Sequence, residues 1–179
     1  MSEMQHARLL MEMVRYDKGC ANLIQHLVKV HGFASAIGRL EGLDEQTQFI
    51  LETAAILHDI GILASKQKYG SSQGNYQELE GPGEAEKLMQ LIGGYTNTQI
   101  ERVMYLVGHH HTYDNINGLD YQILVEADFL VNLYESSAKY ELIHSIGETI
   151  FKTQTGKQML ADMFYSLHPD ETTHAMGLV

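Results

Sequence analysis

The run TAAILHDIG, residues 53–61, constrains the fold most, because it places His58-Asp59 inside an apolar stretch that is typical of a buried helix. An isolated ionised carboxylate is very costly away from water, so the charge on Asp59 has to be compensated by its surroundings. The sequence therefore predicts a bound cation, held by this pair together with ligands from other parts of the chain.

The spacing of apolar residues predicts that helices make up the fold. Upstream of this run, apolar side chains recur three and four residues apart, as on one face of an amphipathic helix: Leu23, Leu27, Val30, Ala34 and Ile37. Asp44 is placed to cap the next helix, which carries His58-Asp59 and ends near Gly61. With two prolines and no tryptophan in the chain, we predict an all-α fold, a single-domain bundle of about seven to eight helices.

The length and organisation of the chain predict one domain over residues 1–179. Its core spans about 22–138, and further helices follow over 139–167, with a break around Thr153 to Gly156 and a frayed tail from His168 onward. The segment 65–83 is rich in Gly, Ser and polar residues and has no helical period, so we predict a long loop there. Pro82 would then stand near the start of the following helix.

Composition excludes several classes of protein. Cys20 is the only cysteine, which excludes disulfide frameworks and cysteine-rich zinc sites. The formal net charge of −11 argues against a long nucleic acid as partner, although a bound cation could still attract a small anionic ligand. The N-terminal sequence does not resemble a signal peptide, and no apolar run reaches the roughly 20 residues of a membrane span. We therefore predict a cytoplasmic protein without a membrane partner; a homodimer is compatible with the sequence.

Further metal ligands are available on other predicted helices. His26 borders the apolar face of its helix, and Asp128 follows Leu124 by one turn. Together with His58 and Asp59, these residues would form a mixed nitrogen and oxygen site suited to a borderline or hard cation. His31 is the alternative metal ligand to His26, but it lies at a different angle around the same helix. Four protein ligands leave room for water or substrate only around a five- or six-coordinate ion, which disfavours tetrahedral zinc.

Several short motifs follow one another in order between His26 and Leu133. They are H-x-x-K-V at 26–30, A-x-x-I-G at 34–38, E-G at 41–42, LHDIG at 57–61, a His pair within 109–111, and EAD at 126–128. This ordered set resembles the HD-domain superfamily of metal-dependent phosphohydrolases.

The resemblance implies an all-α, HD-domain-like fold and hydrolysis of a phosphate ester or anhydride, of a nucleotide or of another small phosphorylated metabolite. It also implies one divalent metal ion, which could be Mn, Fe, Co, Ni, Mg or Zn, held by His26, His58, Asp59 and Asp128. Family members with two metals have a further histidine that would fall within residues 77–80, where this chain has none. A single metal is therefore favoured over two, with Glu78 or Glu80 as possible substitutes for that histidine.

Phosphoryl transfer suggests roles for the remaining candidates. Asp59 could orient the attacking water or accept its proton, and His110 and His111 could stabilise charge on the phosphoryl oxygens. Consecutive helical residues fan out by about 100°, so the triplet cannot face one point, and we rank His109 below the other two. His109 is placed with the substrate-binding candidates, which are completed by two cations of the segment 65–83: Lys66 and Lys68.

Two other functions are compatible with the same residues. A metal-stabilised nucleotide-binding sensor would keep the metal ligands but not turn its ligand over. A metal-dependent oxygenase on a related helical scaffold would need two irons, and the missing histidine within 77–80 counts against it. For His6 and His144 the sequence identifies no partner.

Overall fold

The computed structural model describes residues 2–165 and shows that they form an all-α bundle. The described part of the chain contains nine helices: α1 Ser2–Tyr16, α2 Ala21–Leu40, α3 Glu45–Leu57, α4 Gly61–Tyr69, α5 Gly74–Ile92, α6 Asn97–Val107, α7 Leu119–Glu135, α8 Tyr140–Thr149 and α9 Gln154–Phe164. Only three residues separate α3 from α4, and counting Glu45–Tyr69 as one bent helix gives eight. The predicted all-α fold is confirmed.

Helices α2, α3 and α7 form the centre of the bundle. Helix α2 packs against both α3 and α7, while α1 covers α3 and α5 from outside. Every residue of α3 from Ile50 to Leu57 is buried, as expected of a helix surrounded by other helices. The C-terminal end of α3 therefore delivers His58 and Asp59 into the interior of the molecule.

Local signals in the sequence set several helix ends. Asp44 caps α3 as predicted, since its carboxylate accepts hydrogen bonds from the backbone N–H groups of Gln46 and Thr47. Thr153 caps α9 by accepting from the N–H of Gly156, which confirms the break predicted near these residues. Each of these caps satisfies a backbone donor that the first turn of a helix leaves without an intrahelical partner.

The prediction of a long loop over residues 65–83 is wrong. Most of this segment belongs to α4 and α5, and only the residues between Tyr69 and Gly74 lie outside helices. The glycines serve close packing: a methyl group on Gly61 would lie 2.7 Å from the carbonyl oxygen of Gln77 and 2.8 Å from the backbone nitrogen of Gly81. Pro82 lies inside α5 rather than near its start. Tertiary contact between two helices thus overrides the weak helix propensity of glycine.

The segment Glu45–Tyr69 is long and apolar enough to cross a membrane by composition, but 72% of its most apolar window is buried inside the molecule. Burial of this extent is expected of a core helix. The cytoplasmic location stays a prediction. The single-domain organisation also stays a prediction. Residues 166 and 167, the predicted frayed tail and the histidines His168 and His174 lie outside the described residues.

Candidate metal centre

His58 and Asp59 lie in the turn between α3 and α4. The His58 side chain is completely buried, and its Nδ1 lies 2.9 Å from the carbonyl oxygen of Ala55. A carbonyl oxygen only accepts hydrogen bonds, so Nδ1 carries the ring proton of His58. The Nε2 atom of His58 therefore faces the interior, where its lone pair is available to a cation.

The four predicted metal ligands meet at this turn. His26 Nε2, from α2, lies 3.2 Å from His58 Nε2 and 3.6 Å from Asp59 Oδ2. Asp128 Oδ1, from α7, lies 3.0 Å from His26 Nε2 and 3.5 Å from His58 Nε2. Three separate parts of the chain thus bring two imidazoles and two carboxylates to one point. His31, which lies roughly 140° around α2 from His26, faces elsewhere.

The hydrogen bonds of this cluster leave a set of acceptors that face one another. His26 Nδ1 lies 2.9 Å from the carboxylate of Glu135, which fixes the ring proton of His26 on Nδ1, as Ala55 does for His58. Once His26 Nε2 gives up its proton, two imidazole lone pairs and two carboxylates converge on one point. This is the arrangement that a metal ion requires of its ligands, and the described residues can hold one here.

The pKa values of the cluster show how strongly it attracts positive charge. Burial alone would lower the pKa of His26, but Asp128, Asp59 and Glu135 outweigh burial and raise it to about 9. Burial would raise the pKa values of both aspartates, yet the surrounding histidines hold them below the usual range. A divalent cation competes with protons for the same lone pairs and would displace the proton from His26.

Two residues of α7 that the sequence did not single out position the ligands. Asn132 Nδ2 donates a hydrogen bond of 2.8 Å to Asp128 Oδ1, and Glu135 accepts from His26. Both follow Asp128 on one face of α7, at a spacing of four and seven residues. That spacing is the signal by which they could have been found.

The second oxygen of Asp59 faces the histidine triplet. His110 Nε2 lies 3.2 Å from Asp59 Oδ1, and its Nδ1 lies 2.8 Å from the carbonyl oxygen of Val107. His111 Nε2 lies 4.0 Å from the same oxygen of Asp59. His109 is directed away, stacks on Tyr105 and bonds to the Tyr105 carbonyl oxygen. The geometry thus brings His110 and His111, but not His109, to the cluster.

The surroundings shift the pKa values of the two histidines next to Asp59 in opposite directions. Burial lowers the pKa of His111 to about 4, with a further contribution from His110, so His111 is neutral near pH 7. Burial would lower the pKa of His110 as well, but Asp59 outweighs burial and raises it. His110 is therefore the better proton carrier of the two.

The two carboxylates named as possible substitutes for the missing histidine bind other groups instead. Glu78 accepts hydrogen bonds from the backbone N–H of His111 and from the Thr112 hydroxyl, and Glu80 pairs with Lys68 and Tyr69. Gln77 occupies the position instead, with its Oε1 3.4 Å from His111 Nε2. An amide is a weaker metal ligand than imidazole, so the group formed by Asp59, His110 and His111 is less complete than the first.

A cleft of ≈ 540 Å³ opens beside the cluster and gives a small ligand access to it. Both His26 and Asp59 line the cleft, as do Lys66 from the last turn of α4 and the residues that join α1 to α2. Lys68 does not line the cleft, because its ammonium group pairs with Glu80 on the exposed surface. The structure thus brings Lys66, but not Lys68, to the position expected of a substrate-binding residue.

Comparisons with protein-family models, with curated proteins and with solved structures find no match to this chain. The fold and the site define an all-α protein with a buried His/Asp cluster that could hold a metal ion.

Proposed function

We propose that this protein is a metal-dependent phosphohydrolase of the HD-domain superfamily, which cleaves a phosphate ester or anhydride of a nucleotide or of another small phosphorylated metabolite. The observation that carries the proposal is the convergence of two imidazole lone pairs and two carboxylates beside an open cleft. A divalent ion bound there supplies polarisation of a phosphoryl oxygen. The order of the motifs, from His26 to Asp128, is the second support.

The residues around the cluster suit the requirements of phosphoryl transfer. Asp59 is ionised at neutral pH because its pKa is held low, so it can orient an attacking water by accepting a hydrogen bond. His110 carries a raised pKa and can donate a proton toward a charged phosphoryl oxygen. The Lys66 ammonium in the cleft is placed to attract the phosphate groups of the substrate.

A phosphate-release screen tests this proposal. Tag-free protein is incubated with nucleotides and sugar phosphates in the presence of Mn, Fe, Co, Ni, Mg or Zn, and inorganic phosphate is measured. We expect phosphate release with at least one metal. In Asp128→Asn the rate of release should fall by about 100-fold or more, since this substitution removes a carboxylate that binds the metal. Asp114→Asn, at an exposed position, is the matched control and should keep full activity.

The alternative outcome of that screen is also informative. Absence of phosphate release with every metal would overturn the proposal that the protein is a phosphohydrolase. Tight nucleotide binding in the same samples, measured calorimetrically, would then identify the metal-stabilised sensor instead. The incomplete second group of ligands, in which Gln77 stands beside His111, is the observation that favours the sensor.

A further inference from the structure

A second group of metal-ligating side chains lies where α1 passes over α2 and α3. It consists of His6 from α1, His31 from α2 and Glu52 from α3, and their ligand atoms all lie within 4.8 Å of one another. Glu52 precedes His58 by six residues on α3, or about 9 Å of helix rise, and faces a different side of the helix. The group shares no residue with the candidate metal centre.

The hydrogen bonds of His6 fix its ring proton on the nitrogen remote from Glu52. His6 Nε2 lies 3.0 Å from Thr53 Oγ1 and 3.3 Å from the carbonyl oxygen of Phe49. The Thr53 hydroxyl already donates to that same carbonyl oxygen, so both atoms accept from His6 Nε2. His6 Nδ1 therefore lies 3.0 Å from Glu52 Oε2, a pair of atoms that needs a proton or a cation between them.

The carboxylate of Glu52 is held so that one oxygen is left for this site. Its Oε1 atom accepts three hydrogen bonds of 2.7–2.8 Å, from Ser35, Arg39 and Gln48. Its Oε2 atom faces the two histidines instead. Three donors on a single oxygen orient the carboxylate firmly, as partners of metal-binding carboxylates do.

His31 supplies the observation that points to a bound ion. Its Nε2 atom is buried, lies 4.0 Å from Glu52 Oε2, and has no hydrogen-bond partner among the described residues. Burial lowers the pKa of His31, so its ring is neutral. A buried polar atom without a partner is costly. Here His31 Nε2 faces Glu52 Oε2, the same oxygen that faces His6 Nδ1.

We propose that His6 Nδ1, His31 Nε2 and Glu52 Oε2 bind a divalent transition-metal ion such as Zn²⁺, Co²⁺ or Ni²⁺. Two imidazole nitrogens and one carboxylate oxygen form a set that borderline ions prefer over Mg²⁺ or Ca²⁺. Bonds of about 2.1 Å place neighbouring ligand atoms roughly 3.0–3.5 Å apart. His6 Nδ1 already lies 3.0 Å from Glu52 Oε2, whereas His31 Nε2, at 4.0 Å, has to approach that oxygen by at least about 0.5 Å.

The surroundings of the three ligands fit such an ion. A cavity of ≈ 330 Å³ lined by His6, His31, Arg39 and Glu52 leaves room for water at the remaining coordination positions. The Arg39 guanidinium lies on Glu52 Oε1, away from the oxygen that faces the histidines. Because the ligands come from three helices, the ion would tie α1 to α2 and α3 and stabilise the folded chain.

Metal stoichiometry tests this site. Tag-free, metal-depleted protein is dialysed against Zn²⁺, and the bound zinc per chain is counted by elemental analysis; Co²⁺ is added in parallel and its visible absorption recorded. We expect His31→Asn and Glu52→Gln each to hold one equivalent of zinc fewer than the unsubstituted protein. The part of the Co²⁺ spectrum lost in these variants should be retained in His58→Asn, which alters the other centre.

Matched controls separate this result from a general effect on folding. Glu45→Gln removes a carboxylate, and His144→Asn removes an exposed imidazole; both should keep the full zinc content. His31→Asn leaves the hydrogen bonds of Glu52 in place, so it tests the site even if Glu52→Gln fails to fold, as judged by circular dichroism. Unchanged zinc content and an unchanged Co²⁺ spectrum in folded His31→Asn would overturn the proposal. His6 and Glu52 would then form an ion pair that carries a proton only.

Discussion

At the scale of single residues, Asp59 joins the two halves of the candidate metal centre. One of its oxygens faces His26 and the other faces His110, so a single carboxylate contacts both groups of histidines. The sequence identified Asp59 because a charged residue inside an apolar run has to be compensated. The sequence analysis did not single out Glu135, because only its spacing of seven residues from Asp128 hints at the contact with His26 Nδ1 that the fold creates.

Glu135 should tune the affinity of the centre for metal without being a ligand. In Glu135→Gln, the partner of His26 Nδ1 loses its charge, so the imidazole becomes less basic and less firmly oriented. We expect metal affinity to fall by about 10- to 100-fold, measured by competition with a chromophoric chelator. Glu141→Gln, an exposed position on α8, is the matched control. Equal affinities in the two variants would show that Glu135 does not act through His26.

Asp17 should make the stability of the protein depend on pH. Its side chain is fully buried, neither carboxylate oxygen has a hydrogen-bond partner among the described residues, and burial, with a smaller contribution from Asp59, raises its pKa to about 7. An unfolded chain releases this proton near pH 3.8, so the folded state loses stability as pH rises from there to about 7, and the loss then levels off.

Asp17→Asn removes that titration. We expect the variant to be more stable than the unsubstituted protein at about pH 8, by up to about 4 kcal/mol, with a difference that shrinks toward about pH 5. Urea unfolding at several pH values measures this, with Asp114→Asn as the exposed control. A stability difference that does not vary with pH would contradict the account of Asp17.

At the scale of helices, the sequence predicted amphipathic elements and their caps better than it predicted contacts between helices. The spacing of apolar residues on α2 and the Asp44 cap of α3 are local properties, and both were predicted correctly. The α4–α5 pair was mistaken for a loop because its glycines have low helix propensity. Their function, the close approach of Gly61 to Gly81, depends on a neighbouring helix that local sequence does not reveal.

Alanine substitutions at two glycines of this helix pair should change the free energy of unfolding in opposite directions. A methyl group on Gly61 would meet backbone atoms of α5 at 2.7–2.9 Å, and backbone cannot move aside as a side chain can. We expect Gly61→Ala to cost about 3 kcal/mol in the free energy of unfolding. At Gly83, inside α5, a methyl group would meet nothing within 4 Å, so Gly83→Ala should gain up to about 1 kcal/mol from helix propensity. Similar values for the two variants would contradict the close packing of α4 on α5.

At the scale of the whole molecule, the fold brings residues together that are far apart in sequence. His26, His58 and Asp128 could be assigned to one site before the fold was known, because their motifs follow a recognisable order. His6, His31 and Glu52 form a comparable cluster but belong to no such motif, so their contact could not be predicted from the sequence. Packing of α1 on the outside of α3 is what creates that second cluster.

The account depends most on a cation bound between His26, His58, Asp59 and Asp128. Its most direct test is the metal content of tag-free protein, compared with His58→Ala and Asp128→Ala after identical dialysis against Mn²⁺, Co²⁺ or Zn²⁺. Both variants remove a ligand from the cluster of converging lone pairs. We predict at least one equivalent more metal in the unsubstituted protein than in either variant, and full content in the control Asp114→Asn. Equal metal in the unsubstituted protein and both folded variants would contradict the metal centre.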